Sequence, residues 1–206
     1  MDSTTVAVGS LEGLRQVLAD GLLDLGAGAD VLVVPTAAAF VGIAEAAYAV
    51  AEVCEPFDLR VEALMIADRA ATAEPYFAER LASADLVVLC DGSPLHARAV
   101  WRATPVGEAL KGATRLIAVG SVASVLGGVM IDPRGGAPTT GLGYRDGVAF
   151  AAPSSDEQLA RTRSLMPKDL ALVVLGPRGV IVGEGARWRV VGDDVTVTRG
   201  VEPASL

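Results

Sequence analysis

Histidine is nearly absent from this sequence: His96 is the one histidine among 206 residues. Any serine–histidine mechanism has to use it, and a histidine-rich metal set is excluded. Cysteine is almost as scarce. Cys54 and Cys90 are too few for a disulfide framework, and with a single histidine they make no zinc set. Positive charge is short as well: 17 Lys and Arg against 25 Asp and Glu leave a net charge of −8. A nucleic-acid partner needs clustered cations to meet the phosphate backbone, so none is expected. Uninterrupted apolar runs are missing too. The stretch "AAAFVGIAEAAYAVAEV" (37–53) carries Glu45 and Glu52, so no membrane span is expected. The N-terminus has no basic segment followed by an apolar one, so no signal peptide is expected and the cytoplasm is the expected compartment. There is no Walker loop, no metal-ligand spacing, and no Gly-x-Gly-x-x-Gly after a strand; "GLGYRDG" (141–147) leaves that last pattern after its second glycine. Neither a cofactor nor a metal is expected.

Apolar residues are plentiful, at 51%, and charged ones make up 20%, so the composition supports one large core. A single domain over 1–206 is expected. Apolar β-type runs alternate with helical patterns. Strands are expected at 4–8, 30–35, 59–66, 85–90 and 115–120. Between them, Leu11, Leu14, Val17, Leu18 and Leu22 recur three and four apart and predict a helix over 11–25. A second helix is expected over 37–53, a third over 74–84 and a fourth around 96–111, interrupted near Pro105. A small-residue helical pattern follows Gly120. Continuous apolar strands separated by helices imply a parallel sheet covered on both faces, and right-handed crossovers make it a three-layer α/β sandwich.

After Gly128 the pattern changes. A Gly-rich excursion (132–147) precedes "VAF", a polar helix over 155–166, and four short β runs: "LALVVL", "GVIVG", "RWRVV" and "VTVTR". Turn signals Gly-Pro, Gly-Glu-Gly and Gly-Asp-Asp separate them. These four are expected as mostly antiparallel strands at the C-terminal edge of the sheet.

Open α/β sheets bind ligands beyond the carboxyl ends of their strands. The loops that matter are therefore those after Val34, Cys90 and Val119. They make Thr36, Asp91, Gly92, Ser93, Gly120 and Ser121 the candidate ligand-binding residues.

The order of segments resembles the cyanophycinase and dipeptidase E group of serine peptidases, whose fold is class I glutamine-amidotransferase-like. "VLVVPTAAA" is similar to that group's second strand and its Pro-Thr-Ala turn. "ADLVVLCDGSPLHA" stands where the group has a strand ending in Gly-Gly-Asp-Gln or Gly-Gly-Asn. "LIAVGSVASVLGGVMI" stands where it has the nucleophile elbow, Gly-Thr-Ser-Ala-Gly-Ala-Ala-Val-Leu-Gly. "GLGYRDGVAF" and "DLALVVLGPRGVIVGEGARWRVVGDDVTV" resemble its later segments.

The resemblance implies a serine nucleophile at an elbow, a histidine base, and backbone N–H groups for the oxyanion. Aligned on Val125-Leu126-Gly127 without a gap, the nucleophile position falls on Gly120, and Ser121 comes one residue later. Where the group has its histidine, "GVAFAAPSSDEQ" has none, and Pro153 stands close to that position. The resemblance therefore implies a member that has lost its peptidase chemistry and keeps a cleft for a small amino-acid- or peptide-like ligand. The alternative is a hydrolase using Ser121 with His96. In the plainer readings Ser121 is a helix cap and His96 a first-turn residue. Cys90 is a further thiol candidate, Asp132 stands where related enzymes can carry a triad acid, and Arg145, Arg178, Arg187 and Arg189 offer a carboxylate clamp. A structural subunit is the remaining alternative, and a homodimer is the expected assembly.

Overall fold

The computed structural model describes residues 3–184, 187–200 and 202–206. In chain order the elements are β1 (Thr4–Val8), α1 (Leu11–Ala19), β2 (Asp30–Val34), α2 (Ile43–Cys54), β3 (Arg60–Ala63), α3 (Pro75–Ser83), β4 (Leu86–Leu89), α4 (Pro94–Trp101), α5 (Pro105–Gly112) and β5 (Arg115–Val119). The second half adds β6 (Val129–Ile131), β7 (Pro138–Thr140), β8 (Val148–Ala151), α6 (Asp156–Leu165), β9 (Ala171–Leu175), β10 (Val180–Glu184), β11 (Arg187–Val190), β12 (Val195–Arg199) and β13 (Glu202–Pro203).

The main sheet has seven strands in the order β11-β10-β1-β5-β4-β2-β3. Its five central and far strands, β1, β5, β4, β2 and β3, pair in parallel; β10 and β11 join antiparallel beside β1. Alternate residues of each strand face opposite layers, the period of a pleated strand. Val6, Val31, Val33, Val88 and Val119 pack against Leu14 and Val17 of α1 and Ala47, Val50 and Val53 of α2. Ala7, Leu32, Val87, Leu89 and Leu116 face the other way, onto Leu81 of α3, Trp101 of α4 and Val106 and Leu110 of α5. The expected three-layer α/β sandwich is therefore present. Each fully buried Val or Leu contributes about 1.5–3 kcal/mol through the water it sheds.

Local chemistry places the boundaries and moves several of them from the expected positions; the strand expected over 59–66, for one, spans only Arg60–Ala63. The first helix stops at Ala19 instead of continuing to residue 25, because Gly21 takes the left-handed conformation (φ 62°) that closes a helix end. The expected helix over 37–53 starts only at Ile43. Thr36–Ala38 is a single 3-10 turn, and Gly42, at φ 128°, sets the entry angle and leaves Phe40 and Val41 exposed. The expected helix after Gly120 is a 3-10 segment, Gly120–Val125. Of the four closing β runs, two lie at the edge of the main sheet as β10 and β11. The other two, β9 and β12, form a second sheet of order β13-β12-β9-β8, with β8 and β9 parallel. Its Phe150 and Val173 join the core on the α3–α5 face. The Gly-Glu-Gly turn signal includes Gly185, which lies outside the described residues.

The break at Pro105 is where the sequence puts it. Thr104 caps α5, its hydroxyl accepting the Gly107 N–H at 3.1 Å. No helix among the described residues is long and apolar enough to cross a membrane.

Candidate functional site

Parallel pairing brings the ends of β2, β4 and β5 to one edge: Val34 lies opposite Leu89, and Leu89 opposite Ala118. The loops 90–93 and 120–121 therefore leave the sheet side by side. At the end of β5 the chain turns from strand to 3-10 segment with no intervening loop. Gly120 makes that turn at φ 64°, a left-handed conformation that costs any residue with a Cβ about 1–2 kcal/mol. It is a sharp strand-to-helical turn with glycine at its apex, where the conformation carries no strain.

A second group fills the space beside that apex. A Cβ placed on Gly120 would run into the Asp91 carboxyl carbon and stand 2.5 Å from both of its oxygens. The carboxylate is held there by the two loops: Asp91 Oδ1 accepts the Gly92 N–H at 2.7 Å and the Ser121 N–H at 2.8 Å. Two converging backbone donors at such a turn suit a negative oxygen. Here the oxygen belongs to the protein.

Gly92 and Ser93 fix the loop. Gly92 has φ 147°, and a Cβ there would overlap the Ala37 carbonyl; the Ser93 N–H donates to that carbonyl at 2.7 Å. The Ser93 hydroxyl caps α4 by accepting the His96 N–H at 3.3 Å. Thr36, fully buried, lies below this edge: its Oγ1 donates to the Ile66 carbonyl at 2.7 Å and accepts the Trp101 Nε1–H at 3.2 Å. Both bonding directions of that hydroxyl are occupied by the protein.

Two adjoining cavities open at the strand ends. One, of about 160 Å³, is walled by Gly9, Asp91, Gly120, Ser121, Ser124, Phe150 and Pro153 among others. The smaller, of about 60 Å³, adds Pro94, Ile131, Pro133, Gln158, Leu159 and Thr162, and shares Ser121, Ser124 and Pro153 with the first. Three expected residues thus come together on one wall: Asp91, Gly120 and Ser121. Thr36, Gly92 and Ser93 stand behind it. Ser124 was not anticipated. It is 4% exposed, and its Oγ has no hydrogen-bond partner. It stands three residues after Ser121, and the 3-10 segment puts the two side chains on one face.

His96 lies in the first turn of α4. Its Nε2 sits 2.8 Å from the Ala67 carbonyl and its ring meets Phe40 edge-on at 4.9 Å. A ring nitrogen facing a carbonyl carries the proton. Among the described residues, His96 does not wall the cavities that Ser121 lines. Pro153, close to where the resemblance implies a base, lies in their shared wall and has no side-chain group that accepts a proton.

The remaining candidates are held elsewhere. The Cys90 thiol is pushed up to about 12 by burial and then by the charge on Asp91, so almost none of it is thiolate at neutral pH. Asp132 is paired with Arg134 through two guanidinium contacts of 3.1 and 3.0 Å, and the resulting hydrogen bonds hold its carboxyl below the usual range. Arg145 is buried against Thr5 Oγ1 and the Tyr144 carbonyl, and burial lowers its pKa. The Gly-rich excursion is laced to the segment after the elbow by Leu142 N–H to Val125 O and Tyr144 N–H to Leu126 O, each 2.8 Å. Among the described residues no group of His, Cys, Asp and Glu is arranged to hold a metal ion.

No family profile matches the chain, and no curated protein matches it. Solved structures do. The chain is similar to a peptidase from an acI-B1 Actinobacterium, with TM-score 0.80 and 21% identity over 100% of this chain and 94% of that one. It is also similar to a putative peptidase E protein from Listeria monocytogenes EGD-e, with TM-score 0.69 and 13% identity over 93% of this chain and 99% of that one. The chain therefore has the fold of these peptidases.

Proposed function

We propose that this chain is a binding protein on a peptidase E-type fold, without serine-peptidase chemistry, and that its strand-end cavities hold a small amino-acid- or peptide-like ligand. One observation carries the proposal. The elbow apex is Gly120, and the Asp91 carboxylate occupies both the space of a nucleophilic side chain and the two N–H donors beside it. An oxyanion forming there would meet a like charge in place of free donors. Pro153 in the cavity wall and His96 on the Ala67 carbonyl leave Ser121 without a histidine base. The reading takes residues 1–206 as one unit and places it in the cytoplasm; two free, buried cysteines and the lack of a membrane-crossing helix among the described residues support that location.

Labelling of the folded protein with a fluorophosphonate serine probe tests the proposal. No covalent adduct by mass spectrometry is the expected result. An adduct that disappears in Ser121→Ala would establish an activated serine and replace the binding reading with hydrolysis.

A further inference from the structure

The charge lining the cleft selects the ligand's chemistry, an inference that rests on the binding reading above. Among the described residues around the two cavities, Asp91 is the one acidic side chain, and no Lys, Arg or His lines either. Asp91 forms no salt bridge among the described residues. Both of its backbone hydrogen bonds go to Oδ1, so Oδ2 keeps its acceptor capacity. Deeper in, the Ser124 Oγ is buried without a partner. Leaving a buried hydroxyl unpaired is unfavourable; Ser124 lines both cavities, and a turn about its χ1 would bring that hydroxyl to a polar group in their shared part. The rest of the wall is uncharged, with Phe150, Ile131 and Leu159 supplying apolar surface.

We infer that the cleft takes a ligand through a protonated amino group, placed against Asp91 Oδ2 with Ser124 as a second polar contact and an uncharged body along the apolar wall. An amine or the amino terminus of a short peptide fits this arrangement. A ligand entering by its carboxylate does not: it meets Asp91 with no cation in the wall to offset the repulsion.

Backbone amide NMR on the intact protein, titrated at constant ionic strength with n-butylammonium chloride, sodium butyrate and n-butanol, separates the possibilities. Butylammonium is expected to shift the Ser121 and Ser124 amide signals saturably, and butyrate to leave them in place. Asp91→Asn keeps an oxygen for the two backbone donors and so keeps the fold. It is expected to weaken the amine about tenfold or more, the scale of one charge-assisted hydrogen bond. Ser124→Ala is expected to weaken it severalfold. Butyrate or butanol binding in place of the amine, or an undiminished amine response in folded Asp91→Asn, overturns this inference and leaves the binding cleft standing. Silence from all three probes in the wild-type protein overturns both.

Discussion

Asp91 Oδ1 lies 2.8 Å from the backbone nitrogen of Ser121, thirty residues further along the chain. That bond joins the loops after β4 and β5, and it turns the donor beside the elbow inward, onto a carboxylate of the protein itself. A glycine at the elbow and an acid beside it then become two halves of one arrangement: a side chain at 120 and the carboxylate at 91 compete for the same space.

That competition is measurable. Gly120→Ser is expected to destabilise the protein by about 2 kcal/mol or more, combining the left-handed backbone conformation with overlap on Asp91. In an Asp91→Gly background the overlap is gone, and the same substitution should cost only about 1–2 kcal/mol. Urea denaturation of the four proteins in the cycle checks this. Contacting residues couple by about 0.5–3 kcal/mol, so strictly additive effects would contradict the shared-space argument.

The buried thiols predict an alkaline weakness. Burial raises Cys54 from an ordinary 9.0 to about 11, and raises Cys90 from 9.0 to about 12 with help from Asp91. Above pH 9 the unfolded chain releases these protons while the folded one retains them. Stability therefore falls as pH rises from about 9 toward 11–12, and is at full strength below pH 9. Urea midpoints across pH 8–11 should decline, and Cys90→Ala should flatten the slope. At pH 8, Ellman's reagent is expected to react with neither thiol until the protein is unfolded.

Thr36 gives a third prediction. Replacing it by Val keeps the volume but leaves the indole N–H of Trp101 and the Ile66 carbonyl without partners in a buried site. A loss of about 1–3 kcal/mol in denaturant unfolding is expected, with Thr36→Ser losing less. Ligand binding at the cleft should be unchanged, since the Thr36 hydroxyl is occupied within the protein.

Much of this architecture was legible in the residues. "VLVVP", "DLVVLC" and "RLIAVG" carry no polar alternation, so they had to be strands covered on both faces, and Pro105 had to divide its helix. Gly120 was legible as a position with a backbone need, and its φ of 64° is that need. Other features were hidden for equally physical reasons. An apolar strand pattern encodes burial but not a pairing partner, so β9 and β12 could not be assigned to a second sheet. Gly42 was hidden within a helical periodicity that it interrupts. Asp91 was a candidate ligand residue, but its bond to Ser121 depends on β4 and β5 being neighbours, which sequence spacing does not report. Ser124 read as one more small residue because its lack of a partner is a property of the packed structure.

The most direct measurement is amide hydrogen exchange at Ser121, resolved by NMR in the wild-type protein and in Asp91→Ala. If the carboxylate holds that N–H, exchange at Ser121 should quicken about tenfold or more in the variant, while Ile117 and Ala118 in the middle of β5 stay unchanged. Equal Ser121 exchange in the two proteins would mean that Asp91 does not occupy the donor, and the account of a self-filled elbow would fail.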